Sequence, residues 1–224
     1  MPFDAGVNAS EYESCRLKTQ KFLDDLMKIV VQFKCLLEGN IFYSMHFNLA
    51  KEFVPKQLNM FWCGKQVQTK VCEIGFNAGH SSMLLFLGRD DTPVDFTVFD
   101  IGHHAYTGPC LEYVKSQYKH VNIEFVHGDS TVTMPKWIKE NIHCLESYDV
   151  VHVDGGHSEH CILNDMKHAD LLVKERGLLI IDDTNLHHIN KCVDVYVAKG
   201  YTELRLHPTI LHRVLVKPTS TYTA

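Results

Sequence analysis

Two apolar runs that each stop at acids are the most chemically suggestive features of this 224-residue sequence. In YDVVHVDGGHSEH, residues 148–160, the run VVHV at 150–153 ends on Asp154, with His157 three residues further on. The run LLII at 178–181 ends on Asp182 and Asp183. Short apolar runs of this kind read as strands buried on both faces, and ligands of a parallel α/β sheet bind beyond the carboxyl ends of its strands. If the two strands are neighbours, three carboxylates meet at one rim. Charges of one sign that close together repel unless a cation stands between them, so the pattern points to a divalent metal on Asp154, Asp182 and Asp183. His157 would stand beside it, placed to take a proton. Against that stands a bland alternative, an exposed loop histidine in a chain with fifteen histidines. A zinc site through His152 and His157 is disfavoured, because His152 lies within the strand and is expected to face a packed helix.

A second group of residues surrounds a glycine loop, VCEIGFNAGHSS at 71–82. Gly75 and Gly79 allow a tight turn after a strand and let a ligand approach backbone amides and the start of a helix near Ser81. Neither a Gly-x-Gly-x-x-Gly fingerprint nor a Gly-Lys-Ser/Thr motif is present, which removes the best support for pyrophosphate or triphosphate. Glu73 is an acid inside an apolar strand. A buried carboxylate needs a partner, and the ammonium group of an amino acid would serve. Asp100, ending FTVFD, is placed to accept hydrogen bonds from two ribose hydroxyls. In HGDS, Asp129 or Ser130 could meet the edge of an adenine ring, with helix capping by Ser130 an equal alternative.

The elements that must position these residues follow from periodicity. From residue 69 onward, strands at 71–74, 95–99, 122–126, 150–153 and 178–181 alternate with helical stretches. Pro109 opens one helix. Another begins at Ser158, with Ile162, Met166, Ala169 and Val173 on one face and Gly177 as its stop. The last two runs, at 201–206 and 211–216, are too close for a helical crossover and read as an antiparallel hairpin. The expected fold is α/β: a doubly wound, mainly parallel seven-stranded sheet with an antiparallel C-terminal hairpin. Residues 1–68 form an N-terminal helical segment and 69–224 the sheet domain. In the former, residues 11–38 read as one amphipathic helix ended by Gly39 and Asn40, suited to a cap or an oligomer contact. Residues 41–65 are aromatic-rich, and Pro55 divides them into two helical pieces. Phe42, Tyr43, Phe47, Phe53, Phe61 and Trp62 could line a substrate pocket, although such residues are more often core.

Composition narrows the partners. A net charge of −5 with scattered Lys and Arg offers no basic stripe for nucleic acid. Eight cysteines without a Cys-x-x-Cys pair read as reduced, mostly buried thiols of a cytoplasmic protein. The apolar runs are too short to span a membrane, and the first residues lack a secretory pattern.

The order Glu73-Ile-Gly75-x-x-x-Gly79, Asp100, Gly128-Asp129-Ser130, Asp154, Asp182-Asp183 and the final hairpin resembles the Rossmann-like methyltransferases that use S-adenosylmethionine, over residues 69–217. The acid after strand four and the acid pair after strand five resemble the metal-dependent O-methyltransferases. The catechol type carries Asp, then Asp-Asn, where this chain has Asp154, then Asp182-Asp183. The Asp-x-x-His spacing of Asp154 and His157 is closer to the macrolide-sugar methyltransferases of the macrocin and mycinamicin kind. Their matching histidine is taken as the general base, where the catechol type has a lysine. The resemblance implies S-adenosylmethionine held by Glu73, Gly75, Asn77, Gly79, Ser81, Ser82, Asp100, Asp129, Ser130 and Asp154. It implies Mg²⁺, or else Mn²⁺, on Asp154, Asp182 and Asp183, with His157 and Asp154 catalytic. The acceptor would be a hydroxyl of a sugar or glycosylated small molecule. A catechol or phenol acceptor is the alternative within the class. A nucleotide-binding module without catalysis or a metal-dependent hydrolase is the alternative outside it.

Overall fold

The computed structural model describes residues 8–34, 41–43, 50–87, 89 and 91–220. Seven strands run in chain order: β1 (Lys70–Ile74), β2 (Val94–Asp100), β3 (Val121–His127), β4 (Tyr148–Val153), β5 (Val173–Asp182), β6 (Thr202–Glu203) and β7 (His212–Val216). They make one sheet in the order β3-β2-β1-β4-β5-β7-β6. β1 to β5 pair in parallel, whereas β7 is antiparallel to both β5 and β6. The order reverses between β1 and β4, which makes the crevice beyond their carboxyl ends the natural ligand site. All six residues of β4 are buried, in keeping with its central place. Burying each of its valines stabilises the fold by about 1.5–3 kcal/mol, before the entropy of ordering the chain is counted.

Helices cover both faces. α1 (Ala9–Lys18), α2 (Gln20–Gln32), α3 (Val54–Gln66), α4 (His80–Phe86) and α5 (Thr107–Gln117) contribute to the core that holds Val71, Phe96, Val150 and Ile180. α6 (Ser130–Glu140), α7 (Glu159–Leu172) and α8 (His187–Ala198) close the opposite face over Cys72, Ile74, Val151 and Val153. The alternating side-chain directions of each strand feed the two cores in turn. No helix among the described residues is long and apolar enough to cross a membrane.

Several expected boundaries shift. The single N-terminal helix is two, broken at Thr19, whose hydroxyl turns back to the carbonyls of Cys15 and Arg16. Its expected end at Gly39 and Asn40 lies outside the described residues. Pro55 stands in the first turn of α3, directly after a 3₁₀ turn at Lys51–Phe53, where its missing N–H costs nothing. Gly177 is not a helix stop. α7 ends at Leu172, and Val173, expected on the helix face, begins β5. Gly177 lies inside that strand at the register shift between β4 and β5, where a Cβ would stand 3.0 Å from the Tyr148 carbonyl oxygen. A glycine at a strand irregularity and a glycine after a helix look alike in sequence.

Candidate active site

The turn after β1 is built by two left-handed glycines, Gly75 at φ +94° and Gly79 at φ +83°. Gly75 packs against the end of β4 so closely that a Cβ would stand 1.9 Å from the Asp154 carbonyl oxygen. Beside this contact a cavity of about 320 Å³ opens at the carboxyl ends of the central strands, within the size range of small-molecule sites. Of the residues expected to bind a cofactor, Gly75, Asn77, Ser81, Asp100, Asp129, Ser130 and Asp154 line it, and His157 stands at it as well.

Glu73, Ser82 and Gly79 stand behind the wall instead. Glu73 is fully buried, and its carboxylate accepts from the Ser82 hydroxyl and pairs with His152 Nδ1 at 2.9 Å. The partner expected to be a ligand's ammonium is thus supplied from within. His152, expected to face only a packed helix, is the cross-strand neighbour of Glu73 in the register of β1 and β4. Asp100 lines the cavity, but its carboxylate serves the loop: Oδ2 accepts from the amides of Phe76 and Asn77 at 2.7 and 2.9 Å, and Oδ1 from Gly102 at 2.6 Å. Asp129, not Ser130, is the cap of α6, accepting from the Thr131 amide at 2.9 Å and hydroxyl at 2.8 Å. The Thr131 hydrogen bonds hold the Asp129 carboxyl below the usual range.

The acid rim forms as the strand order requires, because Val153 and Ile181 are register partners and the residues after them lie side by side. The acids then diverge. Asp183 has a left-handed φ of +55°, which interrupts strand alternation, and its Oδ2 lies 2.8 Å from His157 Nε2. Asp182 turns into the interior and pairs with the ammonium of Lys56 from α3. Among the described residues two groupings of ligand-type atoms result, each with all atoms within 4.8 Å of one another: Asp154, His157 and Asp183, and Asp154, Asp182 and His152. The expected trio of acids is therefore split, with Asp154 shared between the two halves. Burial first, then the charge of Asp182, pushes the Asp154 carboxyl well above the usual range. Burial opposes ionisation of Asp182 also, but Lys56, together with His152 and His212, outweighs it and holds that carboxyl low. The donor set of Asp154 and Asp183, with His157 within reach, fits a hard divalent cation, whose charge would relieve the repulsion felt by Asp154.

Two contributors escaped the sequence reading. Lys56 follows a proline in an amphipathic stretch, where a lysine reads as solvated, yet its side chain is only 9% exposed. His80 is buried at the cavity wall, backed by the rings of Phe42 and Tyr43 at 6.0 and 6.3 Å between centroids. Burial lowers its pKa to about 4, so it is a neutral imidazole near pH 7, and its Nε2 has no hydrogen-bond partner among the described residues. Of the other aromatics expected to line a pocket, Phe61 is core and Phe53 and Trp62 are half-buried away from the cavity, while Phe47 lies outside the described residues.

Beneath the Gly155 turn, Asp165 is fully buried, and burial raises its pKa from 3.8 to about 6. Such an acid favours folding while protonated, and that contribution is lost as the pH rises from about 4 through about 6. Asp165→Asn is therefore expected to stabilise the protein at pH 8, by up to about 3 kcal/mol, and to be nearly neutral at pH 4. Urea unfolding of both proteins at the two pH values checks this, and an equal effect at both would contradict it.

Comparison with solved structures finds the same architecture. The O-methyltransferase from Bacillus cereus in complex with SAH shares 15% identity, with TM-score 0.61 over 87% of this chain and 90% of that one. CalS11, a calicheamicin methyltransferase, shares 12% with TM-score 0.60 over 85% and 91%. The O-methyltransferase NovP shares 16% with TM-score 0.53 over 79% and 83%. At such identities the likeness shows the fold alone. No curated protein matches the sequence. A family model described as a methyltransferase domain does match, over residues 72–184, which run from the first glycine loop through the acid pair. With half of the chain matched, and the cavity and rim lying almost wholly within that span, this protein belongs to the methyltransferase-domain family.

Proposed function

We propose that the protein transfers a methyl group from S-adenosylmethionine to a hydroxyl of a sugar or glycosylated small molecule, with the help of a divalent cation, Mg²⁺ or Mn²⁺. The observation that carries this reading is the meeting of Asp154, His157 and Asp183 at the mouth of the cavity that starts at the Gly75 loop. S-adenosylmethionine supplies an electrophilic methyl on a sulfonium, and the loop amides and His80 line the space for it. Asp154 and Asp183 would hold the cation, which supplies Lewis acidity to the acceptor hydroxyl. His157 removes the proton: a neutral imidazole donating Nε2–H to Asp183 accepts at Nδ1, and Asp183 then stabilises the charged ring. Asp154 stands between donor cavity and rim, so it orders both substrates relative to each other. That α3 reaches the rim through Lys56 supports an acceptor-side role for the N-terminal segment.

Calorimetric titration with S-adenosylhomocysteine tests the donor, and absence of binding would remove the methyltransferase mechanism described. A panel of nucleotide sugars, glycosides and vicinal aromatic diols tests the acceptor; transfer to the diols alone would give the catechol-type reading. His157→Ala is expected to lower kcat about 10²-fold with donor affinity unchanged. Turnover equal to wild type would return His157 to the loop surface.

A further inference from the structure

Three acids at one rim need positive charge, and the chain already brings some. Lys56 lies on α3, outside the span matched by the methyltransferase model, and its ammonium is inserted against Asp182 at the end of β5. Both side chains are nearly inaccessible, at 9% and 3% exposure, so this is a buried pair whose charges answer each other. Neighbouring polar groups of α3 are equally committed. Asn59 donates to the His207 carbonyl and contacts His212 Nε2, both at 2.9 Å, which docks the helix across the start of β7. The position of Lys56 is therefore set by a helix anchored on several bonds rather than by a flexible stem reaching inward. Asp183 meanwhile faces His157, on the other side of Asp154.

We propose that Lys56 is a positioning residue that takes Asp182 out of the metal's ligand set, so that one divalent cation binds on the Asp154, His157 and Asp183 side alone. The proposal rests on the metal-assisted reading above. Three carboxylates and one ammonium leave two formal negative charges at the rim, which a single divalent cation balances. Without Lys56 the rim would carry a third, and Asp182 would be released to bind metal directly. The pair also ties the N-terminal segment to the rim, so the segment is part of the site's electrostatics as well as its covering.

The test is calorimetric titration of the full-length protein with MnCl₂ alone, on wild type, Lys56→Met, and the double variant Lys56→Met with Asp182→Asn. Lys56→Met removes a repelling charge and frees an acid, so the affinity for Mn²⁺ is expected to rise at least about tenfold. The double variant removes a pair of zero net charge, so its affinity should stay within about threefold of wild type. A purely structural salt bridge would not tighten metal binding when broken. Should Lys56→Met fail to fold, the double variant decides by itself. A loss beyond about tenfold there would show Asp182 to be a ligand and overturn the proposal. So would unchanged or weaker binding by a folded Lys56→Met, or no binding by any of the three proteins. Binding by Lys56→Met but not by wild type would overturn it as well, because the proposal requires a cation on the Asp154, His157 and Asp183 side of the unaltered protein. Titration of the same samples with S-adenosylhomocysteine reports on the donor reading separately.

Discussion

Gly75→Ala is expected to cost about 3–5 kcal/mol of stability and to abolish binding of S-adenosylhomocysteine. Two effects add. The residue has φ +94°, which an L side chain adopts only with strain, and the new Cβ would lie 1.9 Å from the Asp154 carbonyl oxygen. No rotamer relieves that overlap, because a Cβ has a fixed direction and the obstacle is backbone. The ends of β1 and β4 must part, and the parallel pairing that continues to Ile74 and Val153 opens with them. The cavity wall is the same turn, so donor binding fails together with stability. Gly108→Ala is the matching control: apart from its chain neighbours and the backbone of its own helix, nothing lies within 4 Å of its added Cβ. It sits in α5 and should gain roughly 0.5 kcal/mol from helix propensity. Urea unfolding and calorimetry measure both, and an unchanged midpoint for Gly75→Ala would refute the account of the turn.

Asp154→Asn is expected to lower kcat about 10³-fold, and exhaustive chelation of wild type should reproduce that loss. Asp154 is shared by both groupings of ligand-type atoms at the rim and also lines the donor cavity, so no other acid there can replace it. The neutral amide keeps the shape but cannot balance a cation, which separates charge from packing. Stability should move the other way. Burial and the nearby Asp182 disfavour the ionised form of Asp154, so a neutral side chain relieves the fold of that repulsion. A less active, more stable variant is the expected signature of an acid retained for chemistry. Full turnover after chelation would exclude the cation from the mechanism, and unchanged turnover in Asp154→Asn would exclude the residue.

Much of the architecture was legible because its signals are local. Short apolar runs ending at Gly75, Asp100, Gly128, Asp154 and Asp182 mark five parallel strands, and the short spacing before β7 requires a reversal of direction. Signals that compete locally were misread. Thr19 breaks the first helix with its own hydroxyl, and Gly177 marks a strand irregularity where a helix stop was expected. α8 received no assignment from sequence, although Ile189, Cys192, Val193 and Tyr196 have helical spacing and are buried. Its polar flanks and the adjacent His187 and His188 mask the period.

For the site, local sequence sets which strands end in acids and which loop must turn on glycine, since strand ends and left-handed turns are properties of a few adjacent residues. It could not determine which groups answer those acids, because that depends on elements far apart in the chain. Only the tertiary structure assigned Glu73 to Ser82 and His152, Asp183 to His157, and Asp182 to Lys56, which lies 126 residues away in sequence. Whether a buried charge meets a ligand or a side chain depends on what the fold packs against it, and that is decided by docking of α3 and α4 on the sheet.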